Sequence, residues 1–148
     1  MGAADPGPAV ESFVSGFPSY LLHTGVAGLM LLLGCVFYIK LTPQKEMELL
    51  RGGNASAGLA LAGVIIGLAI PLASCLATSI TFYDLLIWGV VALLIQILAF
   101  RFVDLILRDL PRRIENDEAG AAILLIAVKV ASALIISAAL WDPNLARL

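Results

Sequence analysis

Histidine occurs once in this chain, cysteine twice, and charged side chains make up only 14% of its 148 residues. Each scarcity removes a class of chemistry. No serine–histidine–aspartate or paired-carboxylate arrangement can be built around the lone His23. Cys35 and Cys75 sit in apolar stretches with no CxxC spacing and no neighbouring histidine, so they read as small hydrophobes rather than zinc or redox ligands. A formal net charge of −2 with few basic residues gives no footprint for nucleic acid. Walker and dinucleotide motifs are absent. The expectation is a protein that is not an enzyme, with no cofactor and no metal.

What the chain does have is apolar length. Hydrophobic residues make up 61% of it and the mean hydropathy is +1.01. A soluble domain this short cannot bury that much apolar surface, because ordinary compositions sit at about 45–50% apolar. Lipid must cover the excess. Four stretches, residues 20–39, 55–77, 83–103 and 119–140, approach or exceed the ~20 residues needed to cross a bilayer. Backbone polar groups in lipid must be satisfied within the segment, and no period-2 alternation suggests a barrel. The fold class expected is all-α, a four-helix transmembrane bundle.

Ahead of these spans, residues 1–17 are rich in Pro, Gly and Ala and read as a flexible extracytoplasmic leader. No basic residue precedes the first span, which argues against a cleaved signal peptide, and Pro6 stands where N-myristoylation needs Ser or Thr. Lys40, Lys45, Arg51, Arg101, Arg108, Arg112 and Arg113 cluster at two of the connections, whereas the opposite side offers only Arg147. The positive-inside rule then places both charged loops in the cytoplasm and both termini outside. Phe17, Tyr20, Phe82, Tyr83, Trp88 and Trp141 would form the outer aromatic belt, and Phe37, Tyr38, Phe100 and Phe102 the inner one.

Sliding the chain so that Leu21 falls on Leu85 sets LLHTGVAGL over LLIWGVVAL and RGGNASAGLAL over ENDEAGAAILL. This suggests two parallel two-helix hairpin repeats, residues 18–79 and 80–142, followed by a short tail, residues 143–148. In that frame the Gly63/Gly67 pair corresponds to Ala127 and Ala131, and small residues at this spacing let membrane helices approach closely. These four residues are the candidate packing face between the second and fourth spans. In the first loop Thr42 is a candidate N-cap and Pro43 a first-turn proline for a short interfacial helix.

With these residues in view, KLTPQKEMELLRGGNASAGLALAGVIIGLAIPLAS followed by DLLIWGVVALLIQILAF resembles the YjfL-like bacterial inner-membrane proteins, also called domain of unknown function 350. Thr42-Pro43, Asn54, Gly63, Gly67, the run from Pro71 to Ser74, and Gln96 carry the resemblance. It implies a four-span bacterial inner-membrane protein and little chemistry. The second half departs from the family pattern: Glu118 stands where an asparagine is usual, Lys129 where a small residue is usual, and Ser137-Ala138-Ala139-Leu140 closes the last span.

Lys129 lies in the otherwise apolar run AAILLIAVKVASALIISAAL, about 15 Å from the start of the last span at 1.5 Å per residue. Gln96 comes to a comparable depth on the third span, and Pro71 deprives the Gly67 carbonyl of its helical donor there. Lys129, Gln96, Gly67 and Pro71 therefore form a candidate midplane polar site, with Gln96 or the Gly67 carbonyl as the expected partner of the amine. On a helical wheel Lys129 lies opposite Ala127 and Ala131.

Two functions remain open. One is a membrane scaffold, associated with envelope stress, that docks a cytoplasmic protein partner through loops containing Thr42, Pro43, Asn54 and Glu118. The other is a small homo-oligomeric ion or proton conduit or carrier using the midplane polar site around Lys129. Lipid is the expected surroundings in both.

Overall fold

The computed structural model describes residues 7–42 and 46–140, and among them every regular element is a helix: α1 (Gly7–Leu41), α2 (Glu46–Arg51), α3 (Ala55–Thr78), α4 (Phe82–Ile106), α5 (Asp109–Glu115) and α6 (Ala119–Leu140). The expectations for Pro43, Trp141 and Arg147 lie outside the described residues. Helices α1, α3, α4 and α6 are long and apolar enough to cross a membrane. The short α2 and α5 connect α1 to α3 and α4 to α6, so both belong to one end of the bundle, termed here the charged end.

Local chemistry explains the boundaries. Asn54 caps α3 by accepting from the Ala57 N–H at 2.7 Å, while its amide donates to the Ile114 and Glu115 carbonyls at 2.9 and 3.1 Å. One side chain thereby satisfies the start of α3 and the end of α5. Asp117, at φ 59°, leads into α6 and accepts the Ser56 N–H at 2.8 Å. Left-handed backbone of this kind is tolerated best by Gly, Asn and Asp. At the opposite end Thr81 and Asp84 form a capping box that opens α4.

Helix α3 is the most buried span and lies against α1, α4 and, along most of its length, α6. Glycines set these distances. A Cβ on Gly63 would lie 2.7 Å from Ile126 Cγ1 and 3.2 Å from its Cα, and one on Gly67 would lie 2.5 Å from Phe100 Cζ. Outward-facing positions are apolar instead of polar: Leu98 is 70% and Ile135 73% exposed, as lipid-facing side chains require.

Three expectations need correction. Helix α1 begins at Gly7, so most of the supposed flexible leader is helical. Pro8 falls in the first turn, where its missing N–H has no helical acceptor to lose, and Pro18 costs one bond without ending the helix. Thr42 does not cap α2; its hydroxyl donates back to the Tyr38 carbonyl at 2.9 Å and closes α1, while α2 starts at Glu46. Ala127 and Ala131 are exposed, whereas Ala121, Ala122, Leu125, Lys129, Ala133 and Ser137 form the buried face of α6. An ungapped repeat alignment fixes residue pairs but not helix rotation, and a one-residue slip turns a helix by about 100°. Gly63 and Gly67 thus pack on the Ile126–Lys129 side of α6 rather than on alanines.

Candidate functional site

Helix α4 presents Gln96, Phe100 and Asp104 at four-residue spacing on one face, and α1 presents Met30, Gly34 and Tyr38 in the same way. Such spacing stacks side chains along one stripe. Where these stripes meet α6, the Lys129 ammonium lies 3.0 Å from Asp104 Oδ1 and donates to the Tyr38 hydroxyl at 2.5 Å. The Tyr38 hydroxyl in turn donates to Asp104 Oδ2 at 3.3 Å. The nitrogen also sits 4.8 Å from the Tyr38 ring centroid and 5.2 Å from that of Phe100, both within cation–π range. The rings themselves meet edge to face at 5.8 Å. Tyr38 and Phe100 are therefore core residues and not members of the inner aromatic belt; Phe37 and Phe102 remain exposed.

The Lys129 side chain is 1% exposed and that of Asp104 10%. The lysine faces protein, but its partners are neither Gln96 nor the Gly67 carbonyl. Chain direction explains the difference. A helical side chain leans toward the N-terminus of its own helix. Helix α6 starts at the charged end, so Lys129 leans toward that end and reaches Tyr38 and Asp104, close to the last turns of α1 and α4. Helix α4 starts at the opposite end, so Gln96 leans away from the ammonium. Its amide donates to the Ser132 hydroxyl at 3.3 Å, and that hydroxyl donates to the Lys129 carbonyl at 2.7 Å.

Gln96 Oε1 is buried with no hydrogen-bond partner among the described residues. Gly67 brings α3 close to this layer, with its Cβ position 3.6 Å from the Lys129 carbonyl oxygen. Pro71 is buried one turn further along α3. Deeper still, the Ser74 and Ser137 hydroxyls bond across α3 and α6. At the charged end Glu118 pairs with Arg113 at 2.7 Å on the surface, separate from the buried layer. His23 bonds the Ser19 carbonyl at 2.7 Å within its own helix. Among the described residues, no group of three His, Cys, Asp or Glu side chains could hold a metal ion.

A family model for the domain of unknown function DUF350 matches residues 12–140. The chain belongs to the DUF350 family. The inner membrane protein YjfL (UPF0719) of Escherichia coli K12 is 35% identical over 101 residues, covering 68% of this chain and 75% of YjfL. Its counterpart in Escherichia coli O157:H7 matches with the same values. No solved structure matches. This DUF350 member is accordingly a multi-pass helical inner-membrane protein, and the family supplies no activity that would assign a role to Lys129, Asp104 or Tyr38.

Asp104 and Tyr38 escaped the sequence reading for separate reasons. Asp104 lies one residue past the expected end of its span, so it reads as part of a solvated loop, whereas α4 runs on to Ile106. The spacing from Gln96 through Phe100 to Asp104 was the available signal. Tyr38 fits an interfacial belt equally well by position alone.

Proposed function

We propose that this DUF350 protein is an inner-membrane scaffold whose bundle is locked by the Lys129–Asp104–Tyr38 knot. The observation carrying this reading is the enclosure of the ammonium: it joins α6 to α4 and α1 while two aromatic rings cover it. A transport site must exchange its ligand with water, and a lysine 1% exposed and already ion-paired is arranged to hold helices together. In this reading the charged end, with α2, α5 and the exposed Arg112 and Arg113, faces the cytoplasm and docks a protein partner of the envelope-stress response, and both termini lie outside. The two hairpins, α1 with α3 and α4 with α6, are parallel repeats.

Flux tests the scaffold directly. Purified protein in liposomes loaded with a pH-sensitive dye should leak protons no faster than empty liposomes. The alternative, a proton or small-ion conduit, draws support from the unpartnered buried oxygen of Gln96. It requires measurable flux that Lys129→Leu abolishes without preventing assembly. Orientation is read separately: with Cys35 and Cys75 replaced, a cysteine at Ala3 should react with an impermeant thiol reagent in intact cells while one at Gln44 stays shielded.

A further inference from the structure

An open groove of about 430 Å³ runs between α1 and α4 on the outer face of the bundle. Met30, Gly34 and Phe37 line it from α1, Leu94 and Ile97 from α4, and Lys40 stands at its charged end. We infer that this groove holds one acyl chain of an anionic phospholipid, with the lipid phosphate on Lys40 and Arg101.

Three observations carry the assignment. The first is length. From Met30 to Lys40 the groove follows ten residues of α1, about 15 Å at 1.5 Å per residue, which equals half of a ~30 Å hydrocarbon core. It is therefore as long as the chain region of one leaflet, with Lys40 at one end. The second is chemistry. Apart from Lys40 the lining side chains are hydrocarbon, aromatic or thioether, suited to a lipid tail and offering no polar group to a water-soluble ligand.

The third is charge. Arg101 lies one turn past Ile97 and two turns past Leu94, so it continues the same stripe of α4 toward the end where Lys40 stands. Neither residue has an ion-pair partner among the described residues, in contrast to Lys129 and Arg113. Two uncompensated cations at the headgroup end of a leaflet-long apolar groove match a phosphate with net negative charge better than a zwitterionic headgroup. Gly34 shapes the groove floor: a Cβ there would press on Leu93 at 3.3 Å.

The full-length protein, purified in mild detergent and exchanged into mixed micelles with equal phosphatidylglycerol and phosphatidylethanolamine, is read by native mass spectrometry for retained lipid. The parent should keep phosphatidylglycerol preferentially. A basic residue near the surface contributes about fivefold in anionic-lipid affinity, so Lys40→Gln with Arg101→Gln should cut that preference roughly 25-fold. Leu94→Trp, which fills the groove and leaves both cations in place, should lower retention of both lipids. Equal retention of the two headgroups by the parent, or a preference unchanged in the double variant, overturns the assignment. Retention unchanged in Leu94→Trp places the lipid elsewhere and overturns it equally.

Discussion

Neutralising Asp104 alone should be far more damaging than neutralising both members of the buried ion pair. Asp104→Asn keeps the shape of the side chain but leaves the Lys129 ammonium enclosed without its counter-charge. Removing one partner of a buried pair commonly costs about 3–5 kcal/mol. Here the Tyr38 hydroxyl stays in place and two aromatic faces remain at 4.8 and 5.2 Å, so part of the ammonium's stabilisation survives. Asp104 is also 10% exposed, which places the expected loss near the lower bound, about 3 kcal/mol. Lys129→Met fills similar volume without charge and should cost about 1–2 kcal/mol, since Asp104 is the better solvated partner. The double variant should return to within about 1 kcal/mol of the parent, a coupling of at least roughly 3 kcal/mol. Equilibrium unfolding in mixed micelles titrated with SDS, followed by helical circular dichroism, measures each corner. Reactivity of Cys75, 1% exposed in the folded bundle, gives an independent probe. Single variants losing under about 1 kcal/mol with effects that simply add would refute the coupled, enclosed pair.

Gly67→Ala should drive a methyl into the Phe100 ring, with Cζ 2.5 Å from the new carbon, and cost about 1–3 kcal/mol in the same unfolding measurement. Ala127→Leu, on an exposed position of α6, should leave stability within about 0.5 kcal/mol of the parent. Asn54→Ala removes the α3 cap and both bonds to the end of α5, so it should cost about 1–2 kcal/mol and raise hydrogen exchange in the first turn of α3 before other regions. The Ser56 N–H holds the Asp117 carboxyl below its ordinary range. A carboxylate with a depressed folded pKa contributes stability above its unfolded value of about 3.9 and loses it as pH falls through that value toward the folded one. Between about pH 5 and pH 3 the parent should therefore lose stability more steeply than Asp117→Asn, as compared by unfolding midpoints across that range.

Hydropathy made the four spans legible, because apolar length is a one-dimensional property that survives without knowledge of packing. The burial of Lys129 was legible in outline for the same reason: a lysine centred in such a run must find a partner. Which partner it finds depends on the lean of each side chain along its own helix, and so on pairing α6 with spans that run the other way. The extent of α1 was obscured by Pro8, Gly16 and Pro18, which lower helix propensity without preventing a helix when the prolines fall where a lost bond is tolerable. Ala127 and Ala131 show the limit of repeat matching. Register along the chain says nothing about rotation around the axis.

Asp104 and Lys129 occupy consecutive spans joined only by α5 and its short flanking turns. That adjacency bears on how the chain enters the bilayer during synthesis. Inserted alone, a helix with a central lysine faces a penalty of about 2.5–3.5 kcal/mol. Inserted as a hairpin with α4, it carries its own counter-ion, and the pair presents no net charge to the hydrocarbon. Tyr38, on the earlier span, can then close over a charge pair that is already formed. The second hairpin supplies both charges of the buried pair, and the first supplies the lid.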